Sequence, residues 1–473
     1  MAEKRTVMIA GAGPAGLAAG LELLRRSDLL RVVILESSDR IGGLSATVSY
    51  KGNLMDLGGH RYYTKNSRVS RWWDSVMSMP VRKRLSRIYY DRQFFDYPIA
   101  LNAAALRSLG LVRTAAACGS YLAAKFNKRP DDNLENFYIN RFGERLYRMF
   151  FEKYTEKLWG RSPRDISAAW GTQRVKGLSI ASVFENALGL RKNNKETSLI
   201  SSFQYPDHGV GELWERAAAE FEARGGLLLR GCRVVRVNSS RGRVVSVGCE
   251  KNGTTEDLGA DYFISSMPLC RLLDAWRGET PEPRTLAAAS RLPYRSMAVL
   301  GLLVKRLALE APDNWIYVQD PDVKLGRVQI FNNWSRGLPA APDDTIWLGL
   351  EYFCGEDDDF WRLDERSCAE TAAAELERLG FIARADVLDY HRELVPKAYP
   401  AYFDSYEELP EIRRFLDRFD NLFCVGRNGQ HRYNNMDHSV LTGLLAADSI
   451  IGASADKERL WNVNAEDDYL EGQ

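Results

Sequence analysis

The chain has 473 residues, 45% of them hydrophobic and 27% charged, the mix of an ordinary globular protein and too long for one hydrophobic core, so two or three domains are expected. Sixty-four basic and 63 acidic side chains leave a formal net charge of +1. That balance argues against a general electrostatic grip on nucleic acid, and no nucleic-acid-binding motif appears.

The first forty-three residues carry the strongest pattern. The apolar run Val7-Met8-Ile9-Ala10 leads into Gly11-Ala12-Gly13-Pro14-Ala15-Gly16, an apolar helical stretch follows, and a second run, Val32-Val33-Ile34-Leu35, stops at Glu36. Strand, glycine turn, helix, strand and acid in this order is the pattern of a dinucleotide-binding βαβ unit. Gly11 permits the tight turn, Gly13 lets backbone approach a pyrophosphate at the positive helix N-terminus, and Gly16 lets helix and strand pack closely. Glu36 can accept hydrogen bonds from a ribose diol. The sequel Arg40-Ile41-Gly42-Gly43 favours FAD over NAD, because a second glycine pair lets more backbone pass close to the cofactor and Arg40 can pair with phosphate. This start is a strand, not a signal peptide.

Further on, Thr47 to Tyr50 reads as a short strand. In Asp56-Leu57-Gly58-Gly59-His60-Arg61-Tyr62-Tyr63-Thr64, two glycines beside a histidine and two tyrosines suggest another close approach to a ligand. Ser86 to Tyr97 reads as a hairpin turning at Asp91-Arg92. From Leu101 to about Trp170 the pattern is helical. Its Ala/Leu-rich part, Leu101 to Ala124, is broken by Arg107 and Arg113; it reads as a packed or oligomer-forming helix pair, with shallow membrane contact as the lesser reading. No uninterrupted apolar run is long enough to span a bilayer. Between Asp132 and Phe151 apolar residues recur close to a 3.6-residue period. In Tyr154-Thr155-Glu156-Lys157-Leu158-Trp159-Gly160, the tyrosine, lysine and tryptophan are either a core edge or the lining of a sugar or ring pocket. Glu185 to Ser202 is polar and reads as a mobile loop or lid.

A helix is expected from Glu212 to Arg224, then strands at Leu227 to Leu229, Val234 to Val237, Val244 to Cys249 and Ala260 to Pro268. Short strands at Ala298 to Val304, Trp315 to Val318, Arg327 to Phe331 and Ile346 to Tyr352 suggest an antiparallel sheet. Glu365 to Leu379 is a helix ended by Gly380. A buried strand at Leu422 to Gly426 feeds a helix from Ser439 to Ile451, returning the chain to its first domain. The seven cysteines contain no CxxC pair and read as reduced core residues of a cytosolic protein. No metal-ligand spacing occurs. The expected architecture is α/β: a discontinuous Rossmann-type FAD-binding domain (residues 1–85, 205–270 and 415–457), a helical insertion (98–204) and an antiparallel β-sheet substrate domain (86–97 and 271–414).

With these pieces placed, the chain resembles the flavoprotein superfamily of amine oxidases and protoporphyrinogen oxidase, on the glycine turn, Glu36, Arg40 to Gly43 and the strand Asp261 to Pro268. Within it, the chain is similar to the UDP-galactopyranose mutases. Four segments in the same order carry that resemblance. They are Gly59-His60 with its aromatic pair, Phe142-Gly143 through Tyr154-Thr155-x-Lys157-x-Trp159-Gly160, Ala398-Tyr399-Pro400, and Gly426-Arg427-x-Gly429-x-x-Arg432-Tyr433-x-x-Met436. The resemblance implies a nucleotide-sugar substrate whose pyranose and furanose forms interconvert, with reduced FAD as nucleophile at the anomeric carbon and an external reductant such as NAD(P)H. It implies catalytic roles for His60, Arg174, Arg327 and Arg427. It places Gly11, Gly13, Pro14, Ala15, Gly16, Glu36, Arg40, Gly42, Gly43, Leu44, Gly59, His60, Val234, Gly426, Arg427, Asn435 and Met436 around FAD. It places Tyr154, Trp159, Arg174, Tyr399 and Tyr433 on the substrate. A homodimer and a cytoplasmic location are further expectations. The alternative is an FAD-dependent oxidase or dehydrogenase of the amine oxidase type. The sequence departs from the mutases in carrying His431 for tyrosine and Asn435 for aspartate, expected near the sugar and base, so which sugar and which base stay open.

Overall fold

The structure is a computed structural model and describes residues 4–97, 110–168, 171 and 201–464. Arg174, residues 98–109 and the polar segment of residues 185–200 lie outside the described residues.

Three large sheets, two small two-stranded ones and a helical layer make up the described fold. The first sheet has five strands in the order Leu422–Cys424, Tyr262–Ser265, Arg5–Ala10, Leu30–Leu35, Leu227–Leu229, all parallel. Val7, Val32 and Ile264 are fully buried, as strands covered on both faces require, and this explains why they read as unbroken apolar runs. Helices Pro14–Arg26 and Met436–Ile451 pack together against this sheet. Strands separated by more than two hundred residues in sequence are therefore neighbours, with Val7 paired to Tyr262.

Beside it lies a four-stranded sheet, in the order Thr254–Gly259, Arg243–Lys251, Arg233–Ser240, Trp276–Arg277. Cys232 and Cys249, at one end of this sheet, form a disulfide. This corrects the reading of all seven cysteines as reduced. Residues 234 and 249 pair across the ladder, so a cysteine two places before the paired strand residue can reach its partner, a juxtaposition that sequence spacing does not reveal.

The third sheet has seven strands, ordered Val387–Pro400, Tyr294–Val304, Ile346–Cys354, Arg327–Ile330, Trp315–Val318, Ser86–Tyr90, Gln93–Asp96. All its pairs are antiparallel except Trp315–Val318 against Ser86–Tyr90. The expected hairpin turns at Asp91 and Arg92, both at positive φ (51° and 59°), the backbone that matches strand twist. On one face of this sheet Leu300, Leu302, Leu348 and Leu350 pack with Cys368, Ala372 and Leu376 of helix Glu365–Leu379, which starts under the Asp364 cap and stops at Gly380. The other face looks into the cleft described below. Helices Leu111–Phe126 and Leu134–Tyr147, a π-turn at Arg148–Glu152 and helix Lys153–Trp159 form a layer beside it. Among the described residues no helix is long and apolar enough to cross a membrane. The architecture is thus α/β, with a Rossmann-type parallel sheet, an antiparallel sheet and a helical layer.

Candidate active-site cleft

A cleft of about 610 Å³ runs between the three parts. Its floor is the glycine turn. Gly11 sits at φ +102° and donates its N–H to Leu35 O at 2.8 Å. A Cβ on Gly16 would lie 1.9 Å from Gly11 O, so helix and turn touch only because no side chain is there. Gly13 faces Gly43, with 3.7 Å from an added Cβ to Gly43 Cα, and Gly42 N donates to Ala12 O at 2.9 Å. Two backbone loops thus pinch one groove at the positive end of helix Pro14–Arg26. Glu36 closes it: Oε2 accepts from Ala12 N at 2.8 Å, and Oε1 from Ser38 N at 2.9 Å and Ser38 Oγ at 3.0 Å. A held carboxylate at the end of the second strand, beside an unobstructed backbone cradle, fits the ribose and pyrophosphate of FAD. Gly11, Gly13, Pro14, Ala15 and Glu36 would hold those groups. Gly43, Leu44, Gly59, His60, Gly426, Arg427, Asn435 and Met436 line the same cleft and would surround the rest.

Above the floor, His60 is half-buried in the wall and its Nε2 donates to Leu44 O at 2.9 Å, which assigns the proton to Nε2. Burial, then Arg427 and Arg327, pull its pKa down to about 3, so the ring is neutral at ordinary pH. Deeper in the wall, Glu351 is completely buried. It accepts from Gly59 N at 3.0 Å, Gln329 Nε2 at 3.0 Å and Arg327 Nη1 at 3.1 Å. Arg327 also donates from Nε to the Tyr154 hydroxyl at 3.1 Å. Opposite, the rings of Tyr399 and Tyr433 stack with centroids 5.6 Å apart. The Arg427 guanidinium lies 4.7 Å from Tyr433 and 5.6 Å from Tyr399 and donates to Asn434 O at 2.7 Å and Ala398 O at 3.0 Å. Burial pushes the phenols of Tyr154 and Tyr399 above their usual range, with Arg327 pulling the other way; both stay O–H donors. Two held cations and three phenols therefore converge where an anion can be neutralised and hydrogen-bonded.

The structure moves several expected residues away from the cleft. Trp159 is buried and stands edge-on to Phe403 at 6.2 Å; the helix turns it into the core while Tyr154, Thr155 and Leu158 face inward. Lys157 reaches the carbonyls of Val318, Asp320 and Leu325, so it ties helix to hairpin and stands outside the cleft lining. Arg40 is half-exposed and paired with Glu393 at 3.0 Å. Val234 lies in the second sheet, outside the cleft lining. Gly16 and Gly42 act beneath the surface, through packing. His431 is fully buried, edge-on to Tyr294 at 4.7 Å and hydrogen-bonded to Ala401 O at 3.3 Å, so it is a core residue and not a sugar or base contact. Asn435 does line the cleft and caps helix Met436–Ile451. Sequence reasoning did not identify Glu351, Gln329, Trp315 or Tyr317 as site residues. The signal for Glu351 was available: an acid inside an otherwise apolar run, Ile346 to Cys354, is costly unless it holds something.

A family model for flavin-containing amine oxidoreductases matches residues 14–451. Among solved structures, the chain is similar to reduced UDP-galactopyranose mutase, with 21% identity, a TM-score of 0.83, and 98% of this chain and 97% of that one covered. It is also similar to a protein of protoporphyrinogen oxidase type from Exiguobacterium sp. 255-15, at 15% identity and a TM-score of 0.72 over 95% of this chain and 99% of that one. An engineered putrescine oxidase matches at 16% identity and a TM-score of 0.63, over 95% and 99%. At these identities the three likenesses speak to the fold.

Proposed function

We propose that this chain, which belongs to the family of flavin-containing amine oxidoreductases and has FAD as its cofactor, is a nucleotide-sugar mutase interconverting pyranose and furanose forms. The observation that carries the reading is the convergence of Tyr154, Arg327, Tyr399, Tyr433 and Arg427 on one cleft. A diphosphate that leaves an anomeric carbon and later returns needs fixed positive charge and hydroxyl donors, and these residues supply both. FAD, bound in its reduced form, supplies the nucleophile for the anomeric carbon.

Everything else falls to the chain. Arg327 is oriented by Glu351 and Arg427 by two backbone carbonyls, so both guanidinium groups are in place before substrate arrives. The Tyr154 and Tyr399 hydroxyls stay protonated and donate to phosphate oxygens. His60, neutral and donating to Leu44 O, fixes the turn after Gly59 without adding charge beside the cofactor. His60 is held neutral and Tyr154 and Tyr399 are held protonated, which suits a reaction whose chain-supplied work is charge stabilisation.

The test is direct. Dithionite-reduced holoenzyme is incubated with UDP-, dTDP- and GDP-hexoses, and pyranose and furanose forms are separated by anion-exchange chromatography. Ring contraction that requires reduction is the expected result. No contraction with any sugar, together with oxygen consumption on an amine or porphyrinogen, would replace this reading with the oxidase one.

A further inference from the structure

Arg61 is a cation of the cleft wall that the diphosphate machinery does not use. Its neighbour Tyr62 turns inward, donating to Val210 O at 2.8 Å from a buried position, so Arg61 turns the other way and lines the cleft. Arg327 is bound to Glu351 and Arg427 to backbone carbonyls. Arg61, among the described residues, has no hydrogen-bond or carboxylate partner; its guanidinium lies 5.5 Å from the Trp315 ring. Arg84, largely buried, brings a second guanidinium to the same indole at 5.4 Å. A half-buried Arg fork without a carboxylate matches an incoming one.

The placement of that charge is informative. Trp315 and Tyr317 are alternate residues of strand Trp315–Val318 and share its cleft face. Arg327 lies 5.5 Å from the Tyr317 ring, as Arg61 does from Trp315. Two residues of strand advance roughly 7 Å. Arg61 and Arg327 therefore stand beside successive aromatic residues on one face of the strand. If Arg327 meets the phosphate on the anomeric carbon, Arg61 faces the far side of the sugar, where a hexose carries the substituent on C5.

We propose that Arg61 is a specificity residue and that the sugar it selects carries a carboxylate there: a nucleotide-linked hexuronate. This rests on the nucleotide-sugar reading above. The competing role for Arg61 is one more contact to the diphosphate, which every nucleotide sugar would share.

Binding to the oxidised holoenzyme separates these without any turnover. UDP, UDP-galactose and UDP-galacturonate are titrated by calorimetry and flavin absorbance, with GDP-mannose and GDP-mannuronate as a second pair. The uronate of a pair is expected to bind about tenfold tighter than its neutral hexose, the value of one charge-assisted contact. Arg61→Gln removes that advantage and Arg61→Lys keeps part of it, with FAD content reporting that both variants fold. Equal affinity for uronate and neutral hexose in the unaltered protein overturns the proposal, and so does an Arg61→Gln variant that weakens UDP and both sugars alike. If no nucleotide or nucleotide sugar binds, the function proposed above fails and this inference fails with it.

Discussion

At the residue scale, Glu351 organises the cleft wall. It is a carboxylate without exposed surface that fixes a backbone N–H at Gly59 and a guanidinium at Arg327. Glu351→Ala leaves Arg327 unpaired and is expected to cost about 3–5 kcal/mol in urea unfolding. The double variant Glu351→Leu with Arg327→Met should cost less than the sum of the single changes, because no charge is stranded. Tyr154→Phe keeps the ring and removes one donor. FAD content should be unchanged and turnover should fall about a hundredfold. His431 supplies a pH test. Burial holds its pKa at about 4 against 6.5 in the unfolded chain. The folded state therefore resists a proton that the unfolded state accepts. The stability it lends is present above pH 6.5 and is lost as pH falls toward 4, on the order of 3 kcal/mol. His431→Asn, which tolerates the φ of +45° at this position, should flatten the fall of the denaturation midpoint over that range. Residues bound to the glycine pattern, such as Glu36, were legible in the sequence because spacing along βαβ fixes their place. Glu351 and Gln329 were not, because their partners come from segments nearly three hundred residues away and from neighbouring strands.

At the scale of elements, periodicity served best where one chain segment decides its own structure. Helix Glu365–Leu379 begins after its Asp364 cap and ends at Gly380 as its sequence says. Strand Val387–Pro400 was missed: its residues are mostly half-buried and charged ones cluster at Asp389 to Glu393, so it shows no alternation, and its partner Tyr294–Val304 holds it in place instead. Trp159 was misplaced for a related reason. A motif tells which residues are near a site, and only the helix rotation tells which of them faces it. Helix Leu134–Tyr147 carries a break at Gly143, with φ 78° and ψ 155°. A Cβ there would lie 2.7 Å from Tyr121 N of the adjoining helix. Gly143→Ala is expected to destabilise the protein by about 2 kcal/mol in urea unfolding, and because Phe142 and Leu146 line the cleft, to alter ligand affinity as well.

At the scale of the molecule, the disulfide and the order of the parallel sheet matter most. Denatured, unreduced protein should titrate five free thiols, those of Cys118, Cys270, Cys354, Cys368 and Cys424, and seven after reduction. Cys232 and Cys249 are 17 residues apart, so reduction should lower unfolding stability by roughly 3 kcal/mol. That the parallel sheet is assembled from distant segments was visible in its βαβ start and its returning strand near Leu422. What the sequence did not show is how late it is completed. Its outermost strand, Leu422–Cys424, docks beside Tyr262–Ser265, and that strand beside Arg5–Ala10. On a ribosome the glycine turn emerges among the first residues, yet it waits for nearly the whole chain before its sheet and the helix Met436–Ile451 can close around it. A nascent chain stalled before residue 422 would therefore display the nucleotide fingerprint and hold no flavin, and yellow colour would report that synthesis of this fold has run past its last strand.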